Sequence, residues 1–208
     1  MWQFIKSLFY TSPLLDEKLS MKKFLVVGLG NIGPEYENTR HNIGFKILDS
    51  LAQKEDVIFE SNKLGATAFI KIKGKSVLLL KPSTYMNRSG KAVKYWLEKE
   101  KIPLENVLIV TDDINLTFGT IRIKAKGSDG GHNGLKDIQN LLQTTTYNRF
   151  RFGVGSDFSK GRQVDYVLGE WNEDEASKLP ERMIKSREAI RSFVLSGLQN
   201  TMNQFNGT

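Results

Sequence analysis

The sequence contains no cysteine, and it has only two histidines among its 208 residues. The absence of cysteine excludes disulfide bonds and thiolate nucleophiles, and it fits a reducing compartment, so we expect a cytoplasmic protein. No apolar run approaches the roughly 20 residues that a membrane-spanning helix needs, and we expect no membrane partner. The two histidines, His41 and His132, are the whole set of candidates for a catalytic imidazole.

The first twenty residues differ from the rest of the chain. They include Pro13, lack a long apolar core and end in mixed charges before a second methionine, Met21, so they do not look like a secretory signal. The segment MKKFLVVGLG, which begins at Met21, is a better start for a buried strand. We therefore interpret residues 1–20 as an N-terminal extension, disordered or produced by a misassigned start codon, with a short transit peptide as the alternative. Residues 21–208 are predicted to form one domain.

Apolar runs alternate with helical patterns along the chain, which predicts an α/β domain. Strands are predicted at residues 23–28, on both sides of Gly74, and at VLIVTDD, GTIRIKAKG and RFRFGVG. Helices are predicted in TRHNIGFKILDSLAQKE, RSGKAVKYWLEKEK and GLKDIQNLLQ, and from Glu173 onward. Within that last region, Pro180 predicts either a break or the start of a helix.

The first strand runs into a glycine turn at residues 28–33 with the spacing G-x-G-x-x-G. A dinucleotide-binding turn opens directly into a helix, and an acidic residue follows about 20 positions later at the end of the second strand. Here residues 34–36 intervene before the helical pattern, and Asp49, at the expected distance, lies inside that helix. The pattern disfavours a dinucleotide site, so we expect the turn to serve another chemistry.

Polar side chains follow several of the predicted strands. Ligand sites in open α/β sheets form outside the carboxyl ends of the strands, so these side chains are expected to meet there. Singly, each has an ordinary explanation as a turn or cap residue. Their convergence indicates a functional site. The residues are Asn31 in the glycine turn, His41 beyond it, Asn87 after the second strand of the Gly74 pair, Asp112 at the end of VLIVTDD, and His132 with Asn133 between glycines.

Five motifs in one order resemble the bacterial peptidyl-tRNA hydrolase family, over about residues 21–206. They are VVGLGNIGPEYENTRHNIGF, KPSTYMNRSG, VLIVTDDINLTFGTIRIKAKGSDGGHNGLKDI, RFRFGVG and the closing MNQFN. The resemblance implies a single α/β domain with a twisted, mostly parallel mixed sheet flanked by helices. It also implies hydrolysis of the ester between a peptide and the terminal ribose of tRNA, which recycles tRNA from abandoned translation without a cofactor or metal.

By this resemblance, His41 is the general base, Asp112 orients it, and Asn31 is the third catalytic residue. A histidine titrates near neutral pH and can take a proton from water, and a carboxylate on its other nitrogen stabilises the imidazolium that forms. No serine or cysteine nucleophile is required, so we expect direct attack by water. The family match also implies substrate-binding residues, among which the division of oxyanion, peptide and 3′-end contacts stays open. They are Tyr36, Met86, Asn87, Asn133 and His132.

A basic stripe provides a candidate surface for tRNA. In GTIRIKAKG, the period of two places Arg122, Lys124 and Lys126 on one face and apolar residues on the other. Between residues 119 and 162, eight Lys or Arg stand against three Asp, a large part of the formal net charge of +7. Such a surface can hold phosphates without reading sequence, although a solvated edge strand has the same pattern. The tRNA-binding prediction is Arg122, Lys124, Lys126, Arg149 and Arg151, on a monomer.

Three alternatives stay open. Chloroplast RNA-splicing proteins share this fold and resemblance but act as binding modules, although a scaffold has no need of the histidine and carboxylate that this chain retains. A nicotinamide-dependent oxidoreductase is the second. A metal site built from His41, His132 and Asp112 is the third.

Overall fold

The computed structural model describes residues 22–208, so the extension predicted over residues 1–20 lies outside the described part. The strands are β1 (Lys23–Gly28), β2 (Glu60–Asn62), β3 (Gly65–Ile72), β4 (Lys75–Pro82), β5 (Val107–Asp113), β6 (Ile121–Lys126) and β7 (Thr146–Gly153). The helices are α1 (Ile43–Lys54), α2 (Ser89–Glu100), α3 (Asn133–Leu142), α4 (Gln163–Val167), α5 (Glu173–Ser196) and α6 (Leu198–Phe205). No helix within this range is long and apolar enough to cross a membrane.

The seven strands form one mixed sheet in the order β2-β3-β4-β1-β5-β7-β6. Its four central strands, β4, β1, β5 and β7, run parallel. The edges are antiparallel, with β3 and β2 on one side and β6 on the other. The predicted α/β domain with a mixed sheet flanked by helices is therefore confirmed, whereas the short strand β2 was not predicted.

Alternate residues of the central strands fill two separate cores. On β1, Phe24 and Val26 face the side that α1, α5 and α6 cover. Leu25 and Val27 face the opposite side, where Trp96 of α2 is a large buried side chain. Because both faces of the central strands are covered, these strands read as continuous apolar runs, as parallel strands do.

The glycine turn after β1 serves close packing of α1 on the sheet. A Cβ atom at Gly28 would lie 2.3 Å from the carbonyl oxygen of Gly44, and one at Gly44 would lie 2.5 Å from the backbone nitrogen of Leu29. Neither contact is sterically possible, so α1 reaches the end of β1 only because both residues lack a side chain. This packing accounts for Gly28 without a bound dinucleotide.

Helix α5 runs through Pro180, so the break or helix start predicted at that residue was wrong. The helix begins seven residues earlier, where Asn172 accepts a hydrogen bond from the Glu175 backbone and Glu175 accepts one from the Asn172 backbone. This capping box satisfies two end donors at once. Pro180 and Ala176 are both exposed, so solvent can hydrate the Ala176 carbonyl that the proline leaves without its usual intrahelical donor.

Candidate active site

A cavity of about 460 Å³ lies at the carboxyl ends of β1 and β5. The loops after β1 and β4, the start of α3 and the short helix α4 surround it. Seven of the eight predicted catalytic and substrate-binding residues line it, namely Asn31, His41, Met86, Asn87, Asp112, His132 and Asn133. Tyr36 is not brought to this cavity. It is half-buried at the end of the 3-10 turn Pro34–Tyr36.

His41, which is half-buried, and the buried Asp112 form a pair at the base of the cavity. His41 Nδ1 lies 3.0 Å from each carboxylate oxygen of Asp112, and the Asp112 side chain is only 3% exposed. Burial alone would lower the pKa of His41, but the charge and hydrogen bond of Asp112 outweigh it and raise that pKa above 6.5. Within residues 22–208, His41 Nε2 has no hydrogen-bond partner, which leaves it available to a molecule in the cavity.

His132 is the second histidine on the same carboxylate. Its Nδ1 accepts hydrogen bonds from the backbone N–H groups of Gly134 at 3.1 Å and Leu135 at 3.2 Å, so it caps α3. An accepting Nδ1 leaves the proton on Nε2 in the neutral ring. That Nε2 lies 2.7 Å from Thr111 Oγ1 and 3.0 Å from Asp112 Oδ1.

Asp112 is therefore held by two histidines from different parts of the chain. Burial alone would raise its pKa, but the charges of His41 and His132 and the hydrogen bonds from both rings lower it instead. The carboxylate consequently stays ionised throughout the neutral pH range. An ionised Asp112 can hold the Nδ1–H of His41 and stabilise positive charge on that ring.

The same three side chains are the candidate metal ligands in the described part of the chain. Ligand-type atoms of His41, Asp112 and His132 all lie within 4.8 Å of one another. A metal on His132 Nε2 would have to displace the proton there. Because Nδ1 already accepts two backbone hydrogen bonds, the ring would have to become an imidazolate or give up the cap of α3. The three side chains are better arranged for hydrogen bonds from the two imidazoles to Asp112 than for binding a metal.

Asn31 has a fixed side-chain orientation. Its Oδ1 accepts a hydrogen bond from the Met86 backbone N–H at 2.7 Å, and its Nδ2 has no acceptor among residues 22–208. The amide N–H groups are therefore the free part of this side chain at the cavity. Asn42 anchors the Asn31 backbone in turn, since its Oδ1 accepts from the Asn31 N–H at 2.8 Å and its Nδ2 donates to the Asn31 carbonyl at 2.9 Å.

The sides of the cavity combine exposed amides with apolar surface. Asn87 and Asn133 are exposed, whereas Met86 is buried against the start of α3, where a Cβ atom on Gly134 would lie 2.7 Å from Met86 Sδ. The apolar wall was not predicted from the sequence. It includes Tyr85, which is 55% exposed, and residues 164, 167 and 168 in and after α4. Tyr85 adjoins the predicted Met86, but α4 carries no motif that marked it.

Some of the predicted tRNA-binding cations are exposed, whereas others form hydrogen bonds or an ion pair with groups of the protein itself. Lys124 and Lys126 are exposed at the cavity edge, and Arg122 is exposed on the same strand outside the cavity. Arg149 is buried, and its guanidinium donates to the carbonyls of Ser128 at 2.7 Å, Thr145 at 2.8 Å and Gly127. Arg151 pairs with Asp113.

The strand register brings these cations together in pairs. Lys124 lies directly opposite Arg149, and Arg122 lies directly opposite Arg151. Directly opposed like charges destabilise a sheet. Each pair contains one arginine that has its own acceptors, which limits this repulsion but leaves the exposed partner free to bind an anion.

Comparisons with known proteins agree on one family. The profile of the family described as Peptidyl-tRNA hydrolase matches residues 25–208. A peptidyl-tRNA hydrolase of Phocaeicola vulgatus is 55% identical over 184 residues, which are 88% of this chain and 98% of that protein. The one from Porphyromonas gingivalis is 53% identical over 88% of this chain and the whole of that protein. The crystal structure of peptidyl-tRNA hydrolase from Acinetobacter baumannii has a TM-score of 0.83 and 36% identity, covering 89% of this chain and 96% of that one.

Proposed function

The chain belongs to the peptidyl-tRNA hydrolase family, and we propose that it hydrolyses the ester bond between a peptide and the terminal ribose of tRNA. The observation that carries this proposal is the pair formed by the half-buried His41 and the buried Asp112, with His41 Nε2 open to the cavity. A base of this kind, beside a wall that can contact a peptide and a basic edge that can contact phosphate, fits a substrate with both components.

His41 acts as the general base. A water molecule gives a proton to His41 Nε2 while its oxygen forms a bond to the ester carbonyl carbon, and the carbonyl electron pair moves onto the carbonyl oxygen. When the intermediate collapses, the bond to the ribose oxygen breaks, and that oxygen takes the proton from Nε2. Asp112 accepts the Nδ1–H throughout and stabilises the imidazolium. Water is the nucleophile, and no bond forms between substrate and protein.

Asn31 supplies a donor for the negative charge that develops on the carbonyl oxygen. The hydrogen bond from the Met86 N–H to its Oδ1 fixes the side chain. The Asn31 amide N–H groups are therefore already in place to donate to an oxyanion. Asn87 and Asn133, exposed at the cavity, bind the peptide backbone or the 3′ end of the tRNA. The buried Met86 packs against the start of α3, next to Asn133. His132 acts through Asp112 and the cap of α3. Tyr36 does not line the cavity, so its substrate role stays a prediction from the sequence.

The tRNA phosphates bind the exposed part of the basic stripe, namely Arg122, Lys124 and Lys126. A bound phosphate would relieve the repulsion within the opposed pairs of β6 and β7. Arg149 and Arg151 support this surface from within. Arg149 fixes the loop around Gly127 and Ser128, and Arg151 fixes Asp113.

The proposed reaction does not need a metal, and it needs only one copy of the chain. The lone pair of His132 that a metal site would require is occupied by the cap of α3. We also propose that the protein acts as a monomer. It acts where abandoned peptidyl-tRNA accumulates, in the cytoplasm.

The test is the release of an N-blocked amino acid from its tRNA ester in the presence of a chelator, by the unchanged protein and by His41→Ala. We expect turnover that falls by about 10²–10⁴-fold in the variant, the usual contribution of a general base, while its thermal midpoint and tRNA binding persist. Loss of turnover on chelation would contradict the metal-free mechanism. Absence of turnover in both proteins, with tRNA still bound, would support a binding module instead.

A further inference from the structure

Three consecutive residues, Arg40, His41 and Asn42, form a single 3-10 turn before α1. The middle residue is the proposed base, and its two neighbours are buried. Asn42 binds the backbone of Asn31 on one side. Arg40 reaches in the other direction, toward the segment that joins α4 to α5.

The contacts of Arg40 are extensive for a residue that is only 7% exposed. Its Nη2 donates to Glu175 Oε2 at 2.6 Å, and its Nη1 donates to the Glu170 carbonyl at 2.6 Å and the Tyr166 carbonyl at 3.4 Å. The guanidinium carbon lies 4.4 Å from the centre of the Tyr166 ring and 5.6 Å from that of Trp171. One side chain therefore binds four residues of a segment 126 to 135 positions away.

The backbone reinforces this connection. The Arg40 N–H donates to the Gly169 carbonyl at 3.0 Å, and Thr39 forms an isolated antiparallel bridge with Glu170. The segment held in this way directly follows the part of α4 that forms the apolar wall of the cavity. Arg40, together with the Thr39–Glu170 bridge, thus links the turn that carries the base to the wall opposite it.

We propose that Arg40 is a positioning residue, which holds the α4 wall at a fixed place relative to His41 so that a bound peptide lies against the base. The proposal rests on the function proposed above. Asn42 and Asp112 hold His41 independently of Arg40. Loss of Arg40 therefore displaces the wall more than the base, and it weakens peptide binding more than it slows the chemical step.

The different effects on KM and kcat distinguish a positioning role of Arg40 from a purely structural one. Breaking a buried ion pair leaves a buried charge without a partner, and it can unfold part of the protein. An unfolded fraction lowers the apparent kcat but leaves the KM of the remaining folded enzyme unchanged. A displaced wall raises KM, leaves kcat close to that of the unchanged protein, and does not move the pH dependence that His41 sets.

The experiment measures kcat, KM and thermal midpoint with an N-blocked aminoacyl-tRNA for Arg40→Met, Arg40→Lys and the double variant Arg40→Met with Glu175→Gln. The double variant removes both charges but keeps a side-chain acceptor for the capping box. Arg191→Met is the control for loss of an arginine that is paired away from the site, because Arg191 of α5 pairs with Glu55, just after α1, and neither residue lines the cavity.

We expect KM to rise about tenfold in Arg40→Met and in the double variant, because a displaced wall removes binding that the ground state and the transition state share. Arg40→Lys should give a smaller rise, because an ammonium keeps the charge opposite Glu175 but lacks the planar fork that reaches the carbonyls. Arg191→Met should keep the KM of the unchanged protein. Normal KM in both Arg40→Met and the double variant, with turnover in the unchanged protein, would overturn this inference alone. Lack of turnover in the unchanged protein would overturn the proposed function and this inference with it.

Discussion

His132 illustrates how one residue can affect the reaction without touching the substrate. Its Nδ1 is committed to the cap of α3, and its Nε2–H lies close to Asp112. The donated proton partly neutralises the carboxylate that His41 also contacts. The strength with which Asp112 holds the His41 proton, and therefore the pKa of His41, depends on this second histidine.

His132→Asn separates the two roles of His132. Asparagine is a good N-cap residue, so α3 should keep its cap, but its shorter amide cannot reach Asp112. The less neutralised carboxylate should raise the pKa of His41 further above 6.5 than in the unchanged protein. Because the base works only when deprotonated, the acid limb of kcat/KM should move to higher pH. A pH–rate profile measures this shift.

His132→Ala is the control for the cap. It should show the same shift of the acid limb and, in addition, lose about 1 kcal/mol of unfolding free energy, as is usual for a missing N-cap. An acid limb that moves to lower pH in His132→Asn would contradict the role assigned to His132.

At the scale of an element, the charges on strand β6 also depend on the charges beside them on β7. Its alternation puts Ile121 and Ile123 in the core and the basic stripe outside. Across the sheet it faces a strand that carries two further cations in the same positions. Directly opposed like charges weaken a sheet, and an external anion between them would offset that repulsion.

Lys124→Glu with Lys126→Glu tests that surface. The double variant should bind tRNA more weakly, and its salt dependence should flatten by about two counterions, because two phosphate contacts are lost. Hydrolysis of a short ester without tRNA should not change. Equal losses on the two substrates would refute phosphate binding by these lysines. Measuring tRNA affinity at a series of salt concentrations gives the slope of log affinity against log salt concentration.

Lys71→Glu is a matched control, because Lys71 is an exposed strand lysine on β3, on the far side of the sheet. Lys124→Glu alone adds a second control. It places opposite charges across the pair with Arg149, which should stabilise the sheet by about 0.2–1 kcal/mol. A loss of tRNA affinity without loss of thermal stability cannot then be attributed to unfolding.

For the whole molecule, the sheet and the cavity could be predicted from the sequence, but most of the internal contacts could not. The period of the apolar residues identifies the strands, and the carboxyl-end rule brings Asn31, His41 and Asp112 together. Period two also gives the outward face of a strand, but it does not show that Arg149 turns inward to three carbonyls. The ion pair of Arg40 and Glu175 joins residues too far apart in sequence for any local pattern to reveal.

Pro180 shows a different limit. Proline favours helix starts, and a sequence pattern cannot weigh that preference against the capping box at Asn172, which begins α5 seven residues earlier.

The proposed monomer gives a test at this scale. For a monomer, the activity per unit mass should stay constant as the enzyme is diluted, and sedimentation should give a mass near 23.6 kDa. A specific activity that falls on dilution would contradict the monomer, since a dimeric site is lost when its subunits dissociate.

The two anchors of the His41 turn differ in their separation along the chain. Asn42 and Asn31 are 11 residues apart, whereas Arg40 and Glu175 are 135 apart. Closing the larger loop costs more conformational entropy, so distant contacts form later than local ones. During refolding, we expect the contact of Asn42 with Asn31 to form before the contact of Arg40 with Glu175. The final affinity for the peptide should accordingly be acquired late in refolding, when the Arg40 contacts are complete.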